Sequence, residues 1–318
     1  SFNAWVAQEE GHTRGSTKVL YDARVAPPGA VLTDSPDRSK GEISLTEALK
    51  FVYDDCWWAD LDFIKERIWD LQASAAESRR KYLNQPTASK DAWVTPQDWS
   101  KLTDLDKVVA EGETVVLFFD GSKSRDATAL MGCRMSDGHV FTVGVWEPDT
   151  AHNAADVVPV GAVDSAVIGA HARYDVVAFF ADVQEWQGFV KVTWPDRYKD
   201  NYLIMAAPAA REVMPIAWDM RSRAYEFAEA AETCLEEILQ QGFTHDGDPR
   251  VARHVGNARM HEYKGRHSIA KESQDSPRKI DAAVCVIGVR MVRRFVLASK
   301  EYQKRQRRGR KSRVIVLS

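Results

Sequence analysis

The chain has 318 residues, 44% of them hydrophobic and 28% charged, with a net charge of −3. This is the composition of a soluble globular protein, long enough for one large domain or two ordinary ones. No apolar run approaches a membrane span, and Ser1-Phe2-Asn3-Ala4-Trp5 lacks the basic region and apolar core of a signal peptide, so neither a membrane protein nor a secreted one is expected. The cysteines, Cys56, Cys133, Cys234 and Cys285, are far apart, form no C-x-x-C pair and accompany no His cluster of zinc spacing. They read as buried, reduced thiols of a cytoplasmic protein. With no initiator Met, a processed or partial chain is expected.

In chain order, Ser16 to Ala26 has the residues of a strand that Pro27-Pro28-Gly29 ends. Ser44-Leu45-Thr46-Glu47 has the pattern of a capping box and predicts a helix through Phe51 and Val52. Leu61, Ile64, Ile68 and Leu71 recur on one helical face, which predicts a long amphipathic helix from Asp60 to Asn84. Residues 86–96 are a polar linker with Trp93 as an anchor. Beyond Lys101, the apolar runs 115–119, 131–135 and 140–146 predict a meander of three antiparallel strands, the last two joined at Ser136-Asp137-Gly138-His139. A helix over 154–172, a strand over 176–181 and a short strand over 203–206 follow. Helices are expected over 221–241, stopped by Gly242, over 249–261 and over 279–300, with a short extended piece at 268–271 between the last two. Three antiparallel strands, a helix, a parallel strand and a terminal helix suit an RNase H-like mixed sheet flanked by helices. A smaller α/β and helical segment precedes it.

Three carboxylates stand where such a fold exposes its strand and helix ends. Asp120 ends the run Val115 to Phe119, Asp182 ends the run Val176 to Ala181, and Asp281 opens the apolar segment Ala282 to Ile287. A buried strand has no use for an acid inside it, but its end can present one to solvent or metal. Alone, Asp120 suits a turn, Asp182 a cap and Asp281 a helix N-terminus. Together, three such acids suit two hard cations, Mg²⁺ or Mn²⁺, in phosphodiester hydrolysis. Asp120, on the central strand, is the expected bridging ligand. Lys271 and Asp275 are candidate auxiliary groups, Lys271 to neutralise a phosphate. Asp126 and Glu185 read as surface charges, and His139 and His171 as structural or surface histidines. Lys123 and Arg125 near the first acid, and Lys304, Arg305, Arg307, Arg308, Arg310 and Lys311 in a basic tail, are candidate contacts to DNA phosphates.

The run Val115 to Leu130, with Phe-Phe-Asp-Gly-Ser at 118–122, resembles the first nuclease motif of tailed-phage large terminase subunits. Phe179-Phe180-Ala181-Asp182 with Trp186 resembles the second, and Lys271-Glu272-Ser273 through Lys279-Ile280-Asp281-Ala282-Ala283-Val284 the third. Arg79 to Gln85 is similar to the helix that precedes the nuclease in that family. The resemblance covers nearly the whole chain. It implies an endonuclease that cuts concatemeric viral double-stranded DNA during genome packaging in the host cytoplasm, with the portal protein and the small terminase subunit as partners. It also implies a packaging ATPase before the nuclease, yet no G-x-x-x-x-G-K-[ST] string occurs in this chain. Residues 1–90 are therefore expected to be the end of an ATPase module and its linker, without ATP turnover. Residues 91–303 are expected to be the nuclease and 304–318 a basic tail. The rival readings are another RNase H-like nuclease, such as a Holliday-junction resolvase, and a non-catalytic module that binds DNA or the portal.

Overall fold

The computed structural model describes residues 24–70, 75–85, 91–122, 126–148, 157–207, 213–273 and 276–312. The chain divides into two compact units, 1–90 and 91–318. The strand expected over 16–26 lies outside the described residues but for its last three, which are irregular.

In the first unit the capping box forms as its sequence dictates. Ser44 Oγ accepts from the Glu47 N–H, the Glu47 carboxylate accepts from the Ser44 N–H at 2.9 Å, and helix α1 (Leu45–Tyr53) follows. The single helix expected over 60–84 is instead α2 (Leu61–Trp69) and α3 (Ala75–Tyr82). Asp60 caps α2 by accepting from the Asp62 and Phe63 N–H groups, and Asp70 ends it in an extended conformation. An aspartate is poorly placed at a helix C-terminus, where the dipole is negative and its short side chain competes for backbone. Leu45, Leu49, Ile64, Ile68 and Leu83 form this unit's core.

The second unit opens with the expected anchor. Trp93 is buried, its N–H donates to the Ala258 carbonyl at 3.0 Å, and the short helix α4 (Pro96–Ser100) follows. Strands β1 (Thr114–Gly121), β2 (Thr128–Arg134) and β3 (Val140–Trp146) make the antiparallel meander. After α5 (Val160–Arg173), β4 (Asp175–Ala181) pairs parallel with β1, giving the order β3-β2-β1-β4. That order and polarity, with helices on both faces, make an RNase H-like sheet. Alternation along β1 sends Val116 and Phe118 to one core, and Val115, Leu117 and Phe119 to the other. The second face is closed by α5 and by the rings of Trp186 and Trp194, the latter on helix α6 (Trp194–Tyr198).

Several elements differ from their sequence pattern. Residues 203–206 form no strand, although the Leu203 N–H still donates to Val177 O at 2.8 Å on β4. Helix α7 (Ala224–Leu239) leaves through Gln241 at φ 53°, and the Gly242 N–H closes on the Glu237 carbonyl at 2.7 Å. The helix expected over 249–261 ends early as α8 (Pro249–Asn257). A hairpin follows, β5 (Arg259–Tyr263) and β6 (Arg266–Ala270). Its two-residue turn, Lys264-Gly265, takes positive φ at both positions, the geometry that matches strand twist. The helix expected over 279–300 forms as α9 (Asp281–Ala298), and after an extended Ser299 the start of the expected basic tail is itself helical, as α10 (Lys300–Ser312). Cys133, Cys234 and Cys285 are buried free thiols, as expected, whereas Cys56 is only half-buried.

Candidate active site

Three elements deliver the three acids to one end of the sheet. The register pairs Phe119 on β1 with Ala181 on β4, and Asp120 and Asp182 are the residues that follow them in the chain. Phe118 and Phe180, two residues earlier, face the core packed on α9, so the pleat sends both acids to the same face. Asp281 opens α9, whose mid-section lies directly on β1: a Cβ at Gly288 would stand 2.4 Å from the Phe118 ring. One turn after Asp281, the Cys285 thiol donates to the carbonyl of Ala129, the β2 partner of Asp120, at 3.3 Å. Helix polarity and strand polarity together thus bring Asp281 to the strand ends that carry Asp120 and Asp182.

The electrostatics follow from that gathering. Burial pushes the Asp120 carboxyl well above the ordinary carboxylate range, with Asp281, Asp182 and Asp126 adding to it and Lys271 opposing. Burial likewise raises Asp281 to about 6, with Asp126 as the next contributor. The buried Asp281 Oδ2 has no hydrogen-bond partner among the described residues. Asp182 differs, because its Oδ1 accepts from the Met220 N–H at 3.1 Å. Burial would also raise Asp126, but a hydrogen bond from Lys271 and the Lys279 ammonium 3.3 Å away hold it below its ordinary range.

Asp126, which reads as a surface charge in sequence, is instead drawn into this acidic end by two lysines. Its signal was available in the lysines at 271 and 279, which bracket the third motif and need a carboxylate once half-buried. Lys271 reaches this end of the sheet because β6 delivers it, and the hairpin is clipped to α7 by Arg266 and Glu232 at 2.8 Å. Ser122 and Glu185 are also here, joined at 3.2 Å. Lys123, Arg125 and Asp275 lie outside the described residues. Lys304, Arg305 and Arg307 are exposed on α10, whereas the side chains of Arg308, Arg310 and Lys311 are outside the described set. The structure does not bring this helix to the acids. Arg305 pairs with Asp175, which starts β4, while Asp182 lies just past its far end.

All the candidate donors are carboxylate oxygens, which suit a hard divalent cation rather than a soft one. The orphaned Asp281 Oδ2 and the raised Asp120 describe an acidic site short of countercharge. Among the described residues, however, no group of three or more His, Cys, Asp or Glu side chains is drawn together tightly enough to hold a metal ion. The acids are near enough to perturb one another without forming a closed ligand set.

No protein-family model matches the chain. Over 304 residues, 90% of its length, it is 37% identical to the Gene 13 protein of Mycobacterium phage D29 and 36% identical to that of Mycobacterium phage L5. It spans about half the length of these curated relatives, 50% of each. By sequence the chain is homologous to these mycobacteriophage Gene 13 proteins. Solved structures that it resembles include the HK97 bacteriophage large terminase, at 13% identity and a TM-score of 0.46, over 90% of this chain and 60% of that one. The large terminase nuclease of thermophilic phage G20c with bound magnesium matches at 10% identity and a TM-score of 0.39, over 64% of this chain and 97% of that one. The RNase H-like assignment of this chain stands on its own strand order. No helix among the described residues is long and apolar enough to cross a membrane.

Proposed function

We propose that the chain is a divalent-metal-dependent endonuclease that cuts concatemeric viral double-stranded DNA during genome packaging in the host cell. The observation that carries this reading is the delivery of Asp120, Asp182 and Asp281, from two parallel strand ends and one helix start, to one face at one end of the sheet. Two Mg²⁺ or Mn²⁺ ions held there would supply Lewis acidity at the phosphate and an activated water. Asp120, from the strand paired on both sides, is the candidate shared ligand, with Asp182 and Asp281 serving one ion each. The Met220 N–H orients the Asp182 carboxylate by occupying one of its oxygens. Lys271, at the same end, is placed to meet a phosphate oxygen once its hold on Asp126 is released. By the same reading the portal protein and the small terminase subunit are partners, and residues 1–90 are the end of a packaging ATPase module.

The test is incubation of supercoiled plasmid with Mn²⁺, Mg²⁺ or EDTA. Nicking and linearisation with metal, abolished by EDTA, are the expected result. Binding without cleavage in Mn²⁺ would instead favour a non-catalytic module. A marked preference for four-way junctions over linear duplex would favour a resolvase.

A further inference from the structure

Helix α9 starts without the usual cap. Its N-cap residue, Ile280, has no side-chain acceptor, so the first backbone N–H groups of the helix need partners from elsewhere. The Ala282 N–H finds one in His254 Nδ1, at 2.9 Å. His254 is fully buried, and its Nε2 is 2.9 Å from Glu147 Oε1. An Nδ1 that accepts carries no proton, so the ring proton is on Nε2 and is donated to Glu147. Glu147 follows the end of β3 and reaches the surface, where its other oxygen takes a hydrogen bond from Arg253. One turn along α8 from His254, Asn257 donates to the Lys279 carbonyl at 3.0 Å. Helix α8 therefore grips the chain on both sides of Asp281, at residue 279 and at residue 282.

We infer that His254, held in its Nε2–H tautomer by Glu147, is a positioning residue that fixes the first turn of α9 and thereby aims the Asp281 carboxylate at the metal site. This rests on the metal reading of Asp120, Asp182 and Asp281 given above. His254 touches no ion itself and acts through the backbone of the residue next to Asp281. Among the described residues Asp281 Oδ2 has no hydrogen-bond partner, so the helix start is what holds the carboxylate in place. Outer partners of this kind are worth about 10- to 100-fold in metal affinity.

The experiment compares wild type with His254→Leu, His254→Asn and Glu147→Met. Mn²⁺ binding is measured by titration calorimetry without DNA. Hydrogen exchange is measured in the peptide covering the first turn of α9. Leucine removes the acceptor, asparagine keeps one at about the Nδ1 position, and methionine leaves the ring but removes the group that sets its tautomer. Expected is a loss of about 10- to 100-fold in Mn²⁺ affinity for His254→Leu, with faster exchange at Ala282 and unchanged exchange in β1. Most of both is restored in His254→Asn, and Glu147→Met shows a smaller loss of the same kind. Wild-type exchange and Mn²⁺ affinity in Glu147→Met, or a loss in His254→Asn equal to that of leucine, overturns the inference. Glu147→Met decides it even if the buried leucine does not fold. A wild-type chain that binds no Mn²⁺ refutes the metal reading itself, while the exchange data still decide whether His254 holds the helix start.

Discussion

The backbone N–H of Asp182 donates to the carbonyl of Phe119 at 3.0 Å. This bond is the last rung between the parallel strands β1 and β4, and it makes Asp120 and Asp182 neighbours although 62 positions separate them in sequence. The consequence is that a conservative change at either acid acts on one shared site.

Asp120→Asn, Asp182→Asn and Asp281→Asn keep side-chain shape and remove charge. Each is expected to lower Mn²⁺-dependent plasmid cleavage by at least about a hundredfold, since the lost metal contact is worth several kcal/mol in the transition state. Circular dichroism should stay that of wild type. Full cleavage by two of the three variants would remove these acids from the reaction.

The raised acids also set a pH dependence of stability. A carboxyl whose folded pKa lies above its unfolded value binds its proton more tightly when folded. It therefore stabilises the fold at low pH, and that stability is lost as pH rises from the unfolded value of about 4 through the folded value. For Asp281, raised to about 6, the loss falls between about pH 4 and 6 and levels off above it. In EDTA, Asp281→Asn should be more stable than wild type at pH 7.5, by about 1–3 kcal/mol, and should lose that advantage near pH 4. Paired urea melts at the two pH values decide the matter, and a variant less stable than wild type at both would contradict it.

Lys271 is a cation that opposes the raised pKa of both Asp120 and Asp281. Lys271→Met should move both acids further up. Half-maximal cleavage would then need more Mn²⁺ and a higher pH, with little change in DNA binding at saturating metal. An unchanged Mn²⁺ requirement would show that Lys271 serves Asp126 alone.

Removing residues 304–318 tests the basic helix. Expected is weaker duplex binding and a shallower dependence of log affinity on log salt, with the cleavage pattern unmoved. The last point follows from geometry, because Arg305 pairs with Asp175 at the far end of β4 from Asp182. A shifted cleavage pattern would place the helix on the DNA beside the cut.

Gly288→Ala should destabilise the second unit by about 1–3 kcal/mol, the usual cost of overpacking a filled core. The added carbon has no room against the Phe118 ring. Because the displaced helix carries Asp281, cleavage should fall further than the loss of folded protein explains.

The strands and the three acids were legible because their signals are local. Apolar runs of strand length end at Asp120 and Asp182, and Asp281 opens a helix hydrophobic on nearly every side. The capping box at Ser44 was legible for the same reason. The hairpin over 259–270 was not. Most of β5 is exposed on both faces, so no alternation marks it, and its turn depends on Lys264 taking a positive φ that sequence does not announce. Asp126 and His254 were equally hidden. One is tied to the acidic end through two lysines about 145–153 positions away, the other through a backbone N–H 28 positions on, and neither partner is visible from the residue's own neighbours.

The chain assembles its acidic end from positions 120, 182 and 281, and the last of these arrives on a helix that must dock along β1 before it faces the others. During synthesis the first two acids leave the ribosome well before the third. A nascent chain that ends short of α9 therefore carries two of the three acids, with the α9 face of the sheet uncovered. Completion is tied to the slowest kind of contact, one closed over a long stretch of chain. The acidic centre is therefore a product of long-range closure, complete only once α9 has docked along β1.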